Sequence, residues 1–193
     1  LFRSVFMHTI LIMPVTVASI AGLIAMGRFK RDLENGTIDL ISAHAISRLR
    51  LYVGYVGSGV LFTLGAWLAA IYSMFVAQAI VMPTPITITK FNAVAVNAFP
   101  ILLFFVGLAA ILLGWLPKWY RLVYLVLGLN FYMLYLGKML KMPEWLIQVM
   151  PSSWVAQAPL SAIDWGSWVV VLTLTLALIG LGYLGYRQGD LRD

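Results

Sequence analysis

Long charge-free runs constrain this chain more than anything else in it. No Asp, Glu, Lys or Arg occurs between Arg3 and Arg28, between Arg50 and Lys90, between Lys90 and Lys118, between Arg121 and Lys138, or between Asp164 and Arg187. Charged residues make up 10% of the 193 residues, where a soluble domain carries about 25%. A membrane helix needs about 20 mainly apolar residues, and backbone groups in hydrocarbon must be satisfied within the protein. The runs are continuous rather than alternating, which implies helices and not the strands of a barrel. The expectation is an all-α integral membrane protein, a multi-span helical bundle forming a single transmembrane domain.

Five spans are expected, at about 8–27, 51–80, 98–116, 122–138 and 166–186. Pro14 should kink the first, and Ala18 with Gly22 lets another helix approach closely. Gly54 and Ser58, beside Gly57 and Gly59, give the second span a close-packing face. Pro83 and Pro85 end it, so 81–97 reads as an outer connection, with Pro100 in the first turn of the third span. Pro117 to Arg121 reads as a tight basic, aromatic turn at a membrane interface.

The run between Arg121 and Lys138 gives only about 24 Å of helix at 1.5 Å per residue. Lys138 and Lys141 must therefore snorkel outward, or the helix must extend past them. Asn130 is the only strongly polar side chain in this fourth span. It is either a helix–helix hydrogen bond or a contact on a substrate path. The outer segment 139–165 should hold a short interfacial helix, with Trp145, Leu146, Val149 and Met150 along one side and Pro151 at its end. Trp154, Trp165 and Trp168 are expected as headgroup-level anchors.

Between the first two spans lies a polar loop, Arg28 to Arg50, which holds five of the 13 Lys and Arg and three of the seven Asp and Glu. Gly36 should interrupt the helix, at a cost of about 1 kcal/mol relative to alanine. Thr37 can then N-cap a short helix with Asp39 in its first turn. Ser47 can cap the next long helix, and Arg48 and Arg50 mark its approach to the headgroups. On the loop side lie Arg28, Lys30, Arg31, Arg48, Arg50, Lys118, Arg121, Arg187 and Arg192, against Arg3, Lys90, Lys138 and Lys141 on the other. That bias makes the loop cytosolic. The N-terminus then starts outside, as expected if a preceding helix belongs to the same protein.

The residues that remain exclude most chemistry. No GxxxxGK[ST] occurs, since Gly137-Lys138 is followed by Met139, so a nucleotide is not cradled by that device. His8 and His44 fall on opposite sides of the membrane, and no acidic residue falls inside a span. Metal sites, catalytic dyads and a buried carboxylate relay are therefore not expected, and the chain reads as no enzyme. The net charge of +6 sits at span ends, as topology and headgroup contacts, and points to the lipid bilayer rather than nucleic acid. With no cysteine, there is no disulfide framework. An active transporter built this way takes its energy from another chain.

The run Glu34-Asn35-Gly36-Thr37-Ile38-Asp39-Leu40-Ile41, followed by Ile46-Ser47-Arg48, resembles the cytosolic loop of ABC-2 type transporter permeases. The ending is similar too: Pro151-Ser152 in the outer segment, a last apolar span, then Tyr186, Arg187, Asp190 and Leu191. In detail the chain looks most like a half-repeat of the tetronasin-type polyketide-antibiotic exporter permeases. The resemblance covers Arg28 to Leu191. One position departs from the pattern: Ala45 stands where family members carry a proline, which implies a less kinked loop.

The resemblance implies a six-span, type V exporter-like half-transporter in which the five spans here are the second to sixth. It implies a coupling helix in the loop that docks on a separate ABC ATP-binding subunit, where ATP and Mg are held; this chain itself would carry no cofactor. Glu34, Gly36, Thr37, Asp39, Leu40, Ser47 and Arg48 would make or shape that contact, while Gly54, Ser58 and Asn130 would serve helix packing or the translocation path. A second permease half, in the same or another chain, would complete an exporter of drugs, antibiotics or lipids in a bacterial cell membrane. The alternative is a non-transporting membrane scaffold or immunity protein whose loop recruits some other soluble partner.

Overall fold

The computed structural model describes residues 2–35, 47–81, 87–136, 140, 142–155 and 163–188. Among these the secondary structure is helical. Four helices are long and apolar enough to cross a membrane: α1 (Phe2–Glu34), α2 (Arg48–Val81), α3 (Ile88–Trp115) and α6 (Trp165–Gln188). Between α3 and α6 come a 3₁₀ turn (Pro117–Trp119), α4 (Leu122–Leu136), the short α5 (Glu144–Val149) and a second 3₁₀ turn (Pro151–Ser153). The chain is a multi-span helical membrane protein.

Helix α1 contains Pro14 and runs on past the basic cluster at Arg28 to Glu34. Between Arg28 and Glu34 there is no Pro or Gly, and the Asn35 N–H still closes a turn on the Arg31 carbonyl at 2.9 Å. Helix α2, with 34 residues, is about 51 Å long against a hydrocarbon core of about 30 Å, so it tilts or overhangs. Helix α4, with 15 residues, spans only about 22 Å. Beyond it the Leu140 N–H reaches back to the Leu136 carbonyl at 2.9 Å; Lys138 and Lys141 lie outside the described residues.

The outer connection expected over 81–97 is much shorter than that. Helix α3 begins at Ile88, because Phe91, Val94 and Ala95 pack with Ala18, Trp67, Ile71 and Leu102 in an outer core cluster. Burial there outweighs the polar character of Lys90 and Asn92. Pro100 consequently lies deep inside α3, not in its first turn. A proline cannot donate to the carbonyl four residues back, here Val96. The indole N–H of Trp168 in α6 donates to that carbonyl at 3.0 Å, and the Trp67 indole donates to the adjacent Ala95 carbonyl at 3.1 Å.

Helix α3 is the axis of the bundle. Its inner half joins Leu23, Met26, Tyr52, Val56, Tyr120, Val123 and Val171 in a larger core cluster. Two close helix approaches position the rest. At the α1–α2 crossing, a Cβ on Gly22 would stand 1.7 Å from Thr63 Oγ1 and 2.7 Å from the Gly59 carbonyl oxygen. Between α3 and α6, a Cβ on Gly182 would stand 2.5 Å from the Ala110 carbonyl oxygen. Large apolar side chains point outward, as a lipid-facing surface requires; Leu61 is 73% and Ile80 81% exposed. Asp164 caps α6, taking the Ser167 hydroxyl at 2.5 Å and the Gly166 amide at 3.1 Å.

Candidate functional site

The loop side of the bundle gathers the ends of α1 and α6, the start of α2, and the α3–α4 turn. Glu34 is the last residue of α1. Gly36, Thr37, Asp39, Leu40 and Ala45, on which the docking reading chiefly rests, lie outside the described residues. Ser47 stands one residue before α2 and caps it: the Arg50 N–H donates to its hydroxyl at 3.3 Å and to its carbonyl at 2.9 Å. Arg48 and Arg50 are exposed on the first turn.

Just inside the bundle from these ends is a group of aromatic rings that sequence reasoning missed. Phe29 of α1 stacks on Tyr55 of α2, with centroids 4.6 Å apart. It also meets Tyr186 of α6 edge-on at 5.3 Å. Tyr52 lies 5.5 Å from Tyr183 and 5.8 Å from Tyr186. The hydroxyls are used as well. Tyr55 donates to Asp32 Oδ2 at 2.5 Å, and Tyr52 donates to the Ile179 carbonyl at 2.7 Å. Tyr120, in the α3–α4 turn, donates to the Leu23 carbonyl of α1. Tyrosines three apart at 52 and 55 in α2, and at 183 and 186 in α6, place rings on one side of a helix. That spacing was a signal in the sequence.

The residues expected to pack helices divide. Gly54 is exposed, and a Cβ there would meet nothing within 4 Å. Within the chain the close approach falls instead on Gly59, where a Cβ would stand 2.5 Å from Met26 Cγ. Ser58 turns its hydroxyl to the Tyr55 carbonyl of its own helix at 2.7 Å.

Asn130 is 2% exposed and reaches the outer segment. Its Nδ2 donates to Ser152 Oγ at 2.9 Å, while its Oδ1 accepts from the Ser152 N–H at 3.1 Å. The Pro151–Ser153 turn is thereby held against the side of α4, and Trp154 meets Phe104 of α3 edge-on at 5.4 Å. Asn130 lies about 12 Å of helix from the start of α4, and Phe104 about 16 Å of helix from the end of α3. The outer segment therefore descends well into the bundle rather than resting at headgroup level throughout. Irregular backbone at such depth is tolerated where protein groups satisfy it, as Asn130 does here.

These features describe a multi-span bundle in which the end of α1 and the start of α2 are braced on one side and a segment dips inward on the other. No curated protein matches the chain by sequence. The family model for the C-terminal domain of the multidrug efflux system permease Rv1217c matches residues 2–187. The chain belongs to that family and is a membrane permease of an efflux system.

Proposed function

We propose that this chain is a membrane-spanning half of an ATP-driven ABC-2 type exporter. It moves a hydrophobic or amphipathic substrate outward, while a separate ABC subunit binds ATP and Mg and hydrolyses the nucleotide. A second permease half completes the path. The observation that carries the reading is the bracing of the loop's two flanking helices: α1 stays helical to Glu34, α2 starts at Arg48, and Tyr55 ties them through Asp32. A loop that departs from and returns to adjacent, rigid helix ends can pass a push from a soluble partner into the membrane. Family membership supports efflux, and the run that resembles the ABC-2 loop joins the end of α1 to the start of α2 in the sequence. The likeness to polyketide-antibiotic exporters suggests apolar antibiotics among the cargo.

The test is co-purification. The full-length permease is co-expressed with a tagged candidate ATPase, and the complex is isolated in detergent. The wild type is expected to retain the ATPase, and Thr37→Arg or Asp39→Arg to lose it while the permease still reaches the membrane. An undiminished complex in both variants would remove the docking assignment.

A further inference from the structure

The helix ends beside the loop are tied not only to each other but to a third helix. Phe29 and Tyr52 are buried to 0% and 2% exposure, and their rings contact each other edge-on at 6.2 Å. Through Tyr52, α2 donates across to the Ile179 carbonyl of α6. Farther along α2, the described cross-helix hydrogen bonds go to α3 instead, from Trp67 to Ala95 and from Tyr72 to Asn92. Helix α6 is in turn locked onto α3. The Trp115 indole donates to the Leu181 carbonyl at 2.9 Å, and a Cβ on Gly185 would stand 2.4 Å from the Trp115 ring. An unbroken series of contacts thus runs from the loop's flanking ends to the α3–α6 pair.

Resting on the docking reading above, we infer that Phe29, Tyr52, Tyr55 and Tyr186 are positioning residues that deliver displacement of the loop to the α3–α6 pair. Close-packed interiors transmit strain rather than absorb it. A phenol donating to a carboxylate is a charge-assisted bond, stronger than a neutral one. A phenol–carbonyl bond between helices in a low-dielectric setting is costly to leave unmade. The ends of α1, α2 and α6 therefore cannot slide past one another at this level. They move as one body, and α3 follows α6 through its glycine contacts.

The experiment uses the full-length transporter with its partner ATPase in lipid nanodiscs. This stretch of sequence holds no cysteine, so Arg31→Cys and Arg187→Cys, both at exposed positions, can carry a spin-label pair reporting the distance from α1 to α6. That distance should be the same without nucleotide and after ATP trapping with vanadate. In Tyr52→Phe/Tyr55→Phe, which keeps the rings and removes both hydroxyls, it should become nucleotide-dependent, with the ATPase still bound. If the double variant fails to assemble, Tyr55→Phe alone makes the same test. A wild-type distance that shifts with nucleotide, or a variant that stays as rigid as wild type, overturns the inference. Absence of any co-purifying ATPase from the wild type overturns the docking reading, and this inference with it.

Discussion

Gly114 of α3 and Gly182 of α6 meet backbone to backbone: a Cβ on Gly114 would stand 2.0 Å from the Gly182 carbonyl oxygen. In a membrane, where lipid is as apolar as leucine, helices associate through close packing of small residues. Gly114→Ala or Gly182→Ala must therefore push α3 and α6 apart. Overpacking of this kind costs about 1–3 kcal/mol. We expect a lower melting temperature for both in detergent, followed by fluorescence-detected size exclusion. Gly57→Ala on α2, where a Cβ meets nothing within 4 Å, should stay within about 0.5 kcal/mol of wild type as a surface change.

The pairing of Trp168 with the carbonyl that Pro100 frees gives a double-mutant cycle. Trp168→Phe leaves the Val96 carbonyl without the indole donor, at a cost of about 1 kcal/mol. In a Pro100→Ala background the new N–H can supply the missing bond, so the same change should cost less. Thermal stability of the four proteins should yield a coupling energy of about 0.5 kcal/mol or more. Simple additivity would mean that the indole serves only as an interfacial anchor.

Asn130 holds Ser152 by two hydrogen bonds. Asn130→Leu removes both and leaves the Ser152 amide unsatisfied, whereas Ser152→Ala removes one. Side-chain hydrogen bonds in membrane proteins are worth about 0.6 kcal/mol on average, so the outer segment should loosen without unfolding the bundle. Faster amide exchange over residues 152–155 is expected, larger for Asn130→Leu than for Ser152→Ala.

The carboxyl of Asp164, outside the membrane, is held below its ordinary value of 3.8 by the Ser167 hydroxyl and then by the Gly166 amide. A depressed value in the folded state means that the charged cap contributes stability above pH 3.8 and loses it as pH falls through the lower folded value. Amide protection at Ser167 and Trp168 should therefore be constant from neutral pH to about 4 and weaken only in stronger acid. Asp164→Asn should abolish that dependence, and Asp164→Ala should fray the first turn of α6 at every pH.

Much of the bundle was legible in the residues themselves. The charge-free runs located the long helices. Gly22 marked a close crossing, Ser47 a helix cap, and Pro151 the end of α5. The errors share a cause. Polarity around Lys90 and Asn92 suggested a connection where burial of Phe91, Val94 and Ala95 makes helix. Pro100 was misplaced with it. Within the close-packing face of the second span, Gly59 rather than Gly54 meets α1 in this chain, because small residues on one helix are alike until the partner helix chooses among them.

The sequence alone determined that this is a membrane bundle of long charge-free helices, with a polar stretch of sequence between the first two. Solvation decides those matters, and solvation is read from composition along the chain. Only the tertiary structure decided that Asn130 grips Ser152, that Trp168 completes Val96, and that Phe29, Tyr52, Tyr55 and Tyr186 converge beside the loop. Those pairings depend on the rotation and crossing of whole helices. Inside a bilayer nearly every surface is apolar, so hydrophobic pattern cannot specify rotation, and backbone proximity and single polar bonds must.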